Sequence, residues 1–426
     1  MSKELVALLD GKEVGHVSRD ARGRLRFIYN DDWRTTPDAY PLSLSMPLAA
    51  KEHGRSVVEA FLWGLLPDNE HILARWAAKF HVSARNVFAL ISHVGEDCAG
   101  AVQFVTPERL DAIRGGKEDK VEWLDEADIA RRLGILRKDH AAWRLPSDAG
   151  QFSLAGAQPK TALLLQGDRW GIPSGRLPTT HILKPPTGQF DGHAENEHVC
   201  LMLARDLGLP AAHTEVMRFK KEVAIVIERY DRLPKGNDVI RVHQEDACQA
   251  LGIAPTSKYQ NEGGPGPFDI IQLLRAYSTD READVETFIG ALGFNWLIAG
   301  TDAHAKNFSL LLSGRRIRLA PLYDVASILP YEGFDMQRVS FAMKIGGVYK
   351  LAGIGLRQWQ KFAREVRIEP AALIARLTAM AKRLPDNVNA ARARAREQGL
   401  AASVIERLAA QLIKRAGDCE RLLGGG

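Results

Sequence analysis

Gly300-Thr301-Asp302-Ala303-His304-Ala305-Lys306-Asn307-Phe308 is the stretch whose reading decides the fold of this 426-residue chain. It follows an apolar segment, 288–300, that reads as a buried helix, and it precedes an expected short strand, 308–312. Asp302 and Asn307 stand five positions apart. Asp324 lies seventeen positions beyond Asn307, in Ala320-Pro321-Leu322-Tyr323-Asp324-Val325. A carboxylate, an Asn at plus five and a second carboxylate beyond a hairpin is the spacing that protein-kinase-type phosphoryl transfer uses. That chemistry asks for positioning and charge neutralisation more than for covalent participation. One Asp accepts the proton of the acceptor hydroxyl, while an Asn carbonyl and a second Asp offer hard oxygen ligands to Mg²⁺. The spacing alone also recurs by chance, and a plain loop residue after a helix is the alternative for Asp302.

The rest of such a set has to come from upstream. His181-Ile182-Leu183-Lys184-Pro185 puts a lysine at the end of an apolar strand, suited to hold phosphates as a point cation. The helix carrying Glu195-Asn196-Glu197 offers a carboxylate to orient it. Ile225-Val226-Ile227-Glu228-Arg229-Tyr230-Asp231 ends an apolar strand in a polar crossover, where backbone groups can meet an adenine. Phe152-Ser153-Leu154-Ala155-Gly156-Ala157-Gln158-Pro159-Lys160-Thr161 has small residues that let backbone N–H groups approach phosphates, although a hairpin turn explains them as well. His193 and His198 flank the glutamates without a tight zinc spacing, and a helix start with solvated charges is the favoured reading there. Asn261 to Pro267, NEGGPGP, reads as a flexible loop.

Around these motifs the chain falls into four stretches: an α/β unit over 1–105, a charged connector over 106–150, a strand-rich lobe over 151–244 and a mainly helical region over 245–426. In the first, strands are expected at 5–9, 14–17 and 25–29 and helices at 57–66 and 71–80; the connector holds one short helix at 125–133. The last helices are expected at 358–366, 371–383 and 401–415. Hydrophobic residues make up 46% and charged residues 26%, which excludes collagen, coiled-coil rods and disordered tails. No apolar run reaches the length of a bilayer span, so no membrane partner is expected. Four scattered cysteines, Cys98, Cys200, Cys248 and Cys419, argue against a disulfide framework and for a cytoplasmic location. The net charge of +5 is concentrated at the end, with 13 Lys/Arg against 7 Asp/Glu from Lys361 onward. A solvated helical face is the plain reading of that excess.

Taken in order, FSLAGAQPKTALL, HILKPP, AENEHVCLMLA, VIERYDR, HQEDACQALG, TDAHAKNFSLL and LAPLYDV resemble the HipA family of bacterial toxin serine/threonine kinases. PLSLSMPL, LLPDNE and GEDCAGAVQF are similar to that family's N-terminal subdomain, and the resemblance covers about residues 1 to 385. It implies an α+β, bilobed protein-kinase-like fold, with a strand-rich N-lobe, a mainly helical C-lobe and an extra N-terminal α/β subdomain. It implies ATP and Mg²⁺, with Asp302 as catalytic base and Asn307 and Asp324 as metal ligands. The nucleotide contacts it implies are Ala155, Gly156, Ala157, Gln158, Pro159 and Lys160 of the phosphate loop, Lys184, and Glu228, Arg229 and Tyr230 of the adenine hinge. His304, Lys306, Asn307, Tyr323 and Asp324 complete that set. Ser153 matches the inhibitory autophosphorylation position, whose phosphate ejects the loop and blocks ATP binding. Pro159 departs from the family, which often has Glu there.

The implied partners are a helix-turn-helix antitoxin and a protein substrate, an aminoacyl-tRNA synthetase of the glutamyl type, whose modification stops translation and produces dormancy. Operator DNA enters through the toxin–antitoxin complex, with Lys382, Arg383, Arg392, Arg394 and Arg396 as the basic tail that could meet it. Two other readings stand beside this one: a catalytically silent ATP-binding co-repressor, and a small-molecule kinase. The intact Lys184, Asp302, Asn307 and Asp324 set speaks against the first of these, and the motifs do not name the acceptor.

Overall fold

The computed structural model describes residues 4–143, 152–186, 192–236, 238–400 and 402–425, so the boundary expected at 150–151 lies outside them. The chain forms two compact units. One holds Met1–Pro185, Met217–Thr256 and Ser309–Arg318; the other holds Pro186–Val216, Ser257–Phe308 and Leu319–Gly426.

The first unit begins with an antiparallel sheet in the order Glu52–His53, Leu25–Tyr29, Lys12–Arg19, Glu4–Leu9, Val102–Val105. Asp10 and Gly11, both at positive φ, make the tight turn between its first two strands. Helices Arg55–Gly64, Glu70–Phe80 and Val87–Val94 contribute Val58, Phe61, Ile72, Trp76, Phe88 and Leu90 to a core shared with Leu5, Ala7 and Phe27. Asn69 accepts from the His71 N–H and Asn86 from the Ala89 N–H, so each of the last two helices starts on a side-chain cap. The helix Val87–Val94 was not expected. Six of its eight residues are buried, so it presents no polar face from which a helical period can be read.

A second antiparallel sheet of this unit runs Thr214–Phe219, Glu222–Glu228, His181–Lys184, Thr161–Gln166, Arg169–Ser174, Lys120–Leu124. Its last strand comes from the stretch expected only to connect. Lys120–Leu124 pairs with Arg169–Ser174, and helix Glu126–Lys138 follows it, opened by an Asp125–Asp128 capping box. Ile129 and Leu133 of that helix share a core with Leu163, Trp170, Leu183 and Val226. The strand hid in the sequence because, as an edge, it stays largely solvated and carries charges.

Between the two sheets of this unit lies a buried ion cluster. The Arg229 and Arg232 guanidiniums meet Asp231 at 2.9 and 3.0 Å, Arg232 meets Asp97 at 2.9 Å, and Arg241 meets Asp97 at 3.3 Å. The Thr179 and Gly100 N–H groups also donate to Asp97 and Asp231. The surrounding guanidiniums hold the Asp97 carboxyl far below the usual carboxylate range despite its burial, while burial and the neighbouring Arg229 bring Arg232 down to about 10.

The second unit is mainly helical: His193–Asp206, Pro267–Tyr277, Arg281–Ile298, Leu356–Glu365, Pro370–Glu397 and Ala402–Gly424, with one hairpin, Ser340–Ile345 and Val348–Lys350. Trp296 and Trp359 are fully buried and meet edge to face at 5.7 Å. The helix expected to stop at 383 runs on through Pro385 to Glu397. Proline removes one backbone bond, but Val388, Ala391 and Ala395 remain buried beyond it, and that packing outweighs the loss. The basic tail is paired internally. Lys382 meets Glu420, Arg392 and Arg396 meet Glu406, Arg394 meets Asp206, and Arg383 donates to the Asp206 carbonyl.

Candidate active site

In the second unit, the loop expected to carry the catalytic base is built at the end of helix Arg281–Ile298. Ala299 takes a left-handed φ of 52° to end the helix. At the next position a Cβ would stand 2.4 Å from Asn295 Oδ1, so only glycine fits at Gly300. The chain then turns out to Asp302, which is exposed. The Asp302 carbonyl accepts from the His304 N–H and from Asn307 Nδ2, both at 2.8 Å. The five-residue spacing is thus a closed loop. Because Asn307 gives its amide N–H to Asp302, its Oδ1 is the atom left to face a cation. On the carboxylate itself, the Tyr259 hydroxyl donates to Asp302 Oδ1 at 2.7 Å. The Tyr259 ring meets His304 edge to face at 4.9 Å.

Asp324 is joined to this loop through its neighbour. The Tyr323 hydroxyl donates to the Lys306 carbonyl at 2.6 Å, tying the residue before Asp324 to the residue before Asn307. Asp324 has φ 57°, a left-handed conformation that non-glycine residues rarely hold and that here sits at a proposed ligand. The segment after it is fixed by a buried clamp. Asn196 Nδ2 donates to the Ser327 carbonyl at 2.7 Å, and the Ser327 N–H returns a bond to Asn196 Oδ1 at 3.1 Å. Ser327 Oγ donates to the Ile298 carbonyl at 2.5 Å, back at the end of the catalytic helix.

The expectation of solvated charges at the start of helix His193–Asp206 is corrected: Glu195, Asn196, Glu197 and His198 are all buried. His198 sits between Thr214 Oγ1 at 2.9 Å and Gln398 Oε1 at 3.3 Å, and burial pushes its pKa down to about 4, so it is a neutral core histidine. The flexible loop expected at 261–267 is corrected too. A 3₁₀ turn, Gln260–Glu262, leads to Gly264, whose N–H closes on the Tyr259 carbonyl, and the Gly266 N–H is taken by the Asp269 carboxylate that opens the next helix. This ordered loop sets Tyr259 in place. Neither Tyr259 nor Asn196 was singled out as a site residue. Tyr259 lies 43 positions from Asp302, and no spacing rule connects them.

The expected phosphate loop, Lys184 and the expected adenine hinge belong to the first unit. Lys184 is buried near the end of its strand, opposite Ile225. In the small-residue loop, Gly156 has φ 102° and Lys160 Nζ donates to the Ala155 carbonyl at 2.6 Å, so the loop folds around its own lysine. The Gly156 carbonyl accepts from the Asp68 N–H, while Phe152 and Leu154 are inserted in the core of the N-terminal sheet and its helices. Ser153 is fully buried, and its hydroxyl donates to the Leu65 carbonyl at 2.7 Å. Glu228 is exposed at the strand end, and Tyr230 donates to Gln244 Oε1 at 2.5 Å. Arg229 has partners of its own: its N–H donates to the Thr180 carbonyl, its carbonyl accepts from the Arg232 N–H, and its side chain belongs to the buried ion cluster.

The residues fit a divalent cation of the Mg²⁺ type. Asn307 Oδ1 and the Asp324 carboxylate are hard oxygen donors, and two such ligands would leave the rest of the shell to water and phosphate oxygens. That is the habit of Mg²⁺, which keeps its waters.

An α+β fold with a strand-rich sheet and a helical unit is that of a protein-kinase-like enzyme. The comparisons with known proteins give its family. The HipA N-terminal domain matches residues 5–105 and the HipA-like C-terminal domain matches residues 152–388, and the chain belongs to the HipA family. It is 38% identical over 366 residues to the putative kinase Y4mE of Sinorhizobium fredii, covering 84% of each chain. It is 29% identical over 390 residues to the serine/threonine-protein kinase toxin HipA of Shewanella oneidensis, covering 88% of this chain and 86% of that one. The structure of the Shewanella oneidensis MR-1 toxin–antitoxin complex of HipA, HipB and operator DNA matches with a TM-score of 0.84 at 27% identity, over 99% of this chain and 98% of that one. Among the described residues no helix is long and apolar enough to cross a membrane.

Proposed function

We propose that this chain is an Mg-ATP-dependent serine/threonine protein kinase that serves as the toxin of a toxin–antitoxin pair. The observation that carries the reading is the closed Asp302–Asn307 loop with Tyr259 holding one carboxylate oxygen. In this reading Asp302 Oδ2 takes the proton of the acceptor hydroxyl, and Tyr259 keeps the carboxylate from turning away. Asn307 Oδ1 and Asp324 hold the cation, which when bound neutralises charge on the phosphates of ATP. His304, Lys306 and Tyr323 shape the loop beneath those ligands. Lys184 and the loop Ala155–Lys160 take the phosphates, and backbone groups of Glu228 and Tyr230 take the adenine.

The partner is a helix-turn-helix antitoxin, a reading supported by the structural match to a HipA–HipB–operator complex. The protein substrate is an aminoacyl-tRNA synthetase, and phosphorylation of Ser153 shuts the kinase down. The same match supports operator DNA as a partner within that complex, while Lys382, Arg383, Arg392, Arg394 and Arg396 of the basic tail also have partners within the chain. The test is induced expression in a bacterial host. Wild type should arrest growth, Asp302→Ala should not, and co-expression of the antitoxin should restore growth. Equal arrest by wild type and Asp302→Ala would overturn the kinase-toxin reading.

A further inference from the structure

The second unit carries a run of 29 residues, 336–364, with six basic side chains, Arg338, Lys344, Lys350, Arg357, Lys361 and Arg364, and no Asp or Glu. All six are exposed. Arg338 and Lys361 make only exposed pairs with the flanking Asp335 at 3.3 Å and Glu365 at 3.7 Å. Lys344, Lys350, Arg357 and Arg364 meet no carboxylate among the described residues, in contrast to the paired basic tail. Such a surface needs an explanation, because uncompensated like charges repel one another.

Its position supplies one. The run folds as the hairpin Ser340–Ile345 and Val348–Lys350 followed by helix Leu356–Glu365. The turn of the hairpin lies against that helix: a Cβ on Gly346 would stand 2.3 Å from the Gln358 carbonyl, and one on Gly347 would stand 3.1 Å from Lys361 Nζ. The Lys344 N–H donates to Gln260 Oε1 at 2.7 Å. Gln260 directly follows Tyr259, whose hydroxyl holds Asp302 Oδ1. The basic hairpin is therefore fastened, through two adjacent residues, to the carboxylate proposed to receive the acceptor's proton.

We propose that this face docks an acidic segment of the protein substrate beside its acceptor hydroxyl. The proposal rests on Asp302 being the base. An acidic peptide is favoured over a nucleic acid because binding of single strands uses exposed aromatic faces. The one aromatic ring of the hairpin's second strand, Tyr349, is covered by Lys344 Nζ at 5.0 Å from its centroid. Several exposed charge pairs of modest individual strength give selectivity and faster encounter rather than tight binding.

The experiment compares two short synthetic peptides, one with a serine among glutamates and one with the same serine among glutamines, and a short single-stranded RNA. Phosphorylation is followed by mass and binding by fluorescence anisotropy, on the full chain. Wild type should favour the glutamate peptide in kcat/KM by about tenfold, mostly through KM, and lose that preference at high salt. Lys344→Gln/Lys350→Gln/Arg357→Gln/Arg364→Gln should bring the ratio near one while autophosphorylation and the KM for ATP stay as in wild type. The corresponding Glu variant should invert the preference. Equal use or equal neglect of the two peptides by a chain that still autophosphorylates overturns the docking proposal, as does tighter binding of RNA than of the glutamate peptide. Absence of any phosphoryl transfer, to itself or to peptide, overturns instead the assignment of Asp302 on which it rests.

Discussion

Phosphorylation of Ser153 is the perturbation whose size the structure lets one work out. Phe152 and Leu154, each 4% exposed, are buried on either side of it, and burial of two such side chains contributes about 3–6 kcal/mol. The hydrogen bond from Ser153 Oγ to the Leu65 carbonyl adds about 1 kcal/mol. Ordering three residues costs about 3–6 kcal/mol, so the segment is held by only a few kcal/mol. A phosphate removes the hydroxyl donor and brings close to two negative charges to a position with no solvent exposure. Desolvating each charge costs several kcal/mol, so the expelled state is favoured by roughly a thousandfold. Hydrogen exchange on peptides covering 152–160 reads this directly, in protein whose mass shows one phosphate at Ser153. Protection should fall to that of an unstructured segment, whereas Ser153→Ala, which loses one hydrogen bond of about 1 kcal/mol, should lower it only about fivefold. Unchanged protection in the phosphorylated protein would refute the reasoning.

Tyr259→Phe removes the donor on Asp302 Oδ1 and should lower kcat about tenfold while leaving ATP affinity unchanged; a matching loss of ATP affinity would mean a structural role instead. Asp231→Asn takes one carboxylate from a buried cluster of three arginines and should cost about 3–5 kcal/mol in urea unfolding, and a loss below about 1 kcal/mol would show that the cluster does not depend on it. The buried Glu245, which accepts from Ser43 Oγ and the Leu44 N–H, has its pKa pushed up to about 8 by burial. It therefore keeps a proton in the folded state that it loses when unfolded, and stability falls as pH rises toward 8. The buried histidines His198 and His243, lowered to about 4, act in the opposite sense but only below their ordinary value of 6.5. Between pH 6.5 and 8 unfolding free energy should drop by about 2 kcal/mol, and Glu245→Gln should flatten the curve.

Local spacing picked out a loop that the fold closes: Asn307 bonds the Asp302 carbonyl, and Tyr323, next to Asp324, bonds the Lys306 carbonyl. Strand patterns placed Lys184 and Glu228 at strand ends. What stayed hidden depends on tertiary partners. Glu195, Asn196, Glu197 and His198 look like a solvated helix start because polar residues usually are, yet the helix is buried on all sides at that end. Arg229 reads as part of an adenine hinge, but two aspartates, one at position 97, claim its side chain. The glycines and prolines of 261–267 signal irregular backbone, and irregular backbone here is an ordered support for Tyr259 rather than a mobile loop. Pro385 marks a helix end in sequence terms, and only the burial of the following turns overrides it. The charge excess from Lys361 onward was visible, but not which cations were already paired. The tail from Lys382 to Arg396 has partners within the fold, whereas Lys344, Lys350, Arg357 and Arg364 meet no carboxylate among the described residues.

The most direct test of the central claim is the intact mass of the purified, dephosphorylated chain after incubation with Mg-ATP, with Asp302→Ala alongside. A phosphoryl adduct on wild type alone, mapped to Ser153, is the predicted result. An adduct of equal extent on Asp302→Ala, or none on a wild-type chain that binds ATP, would contradict the assignment of Asp302 as the base of a working kinase.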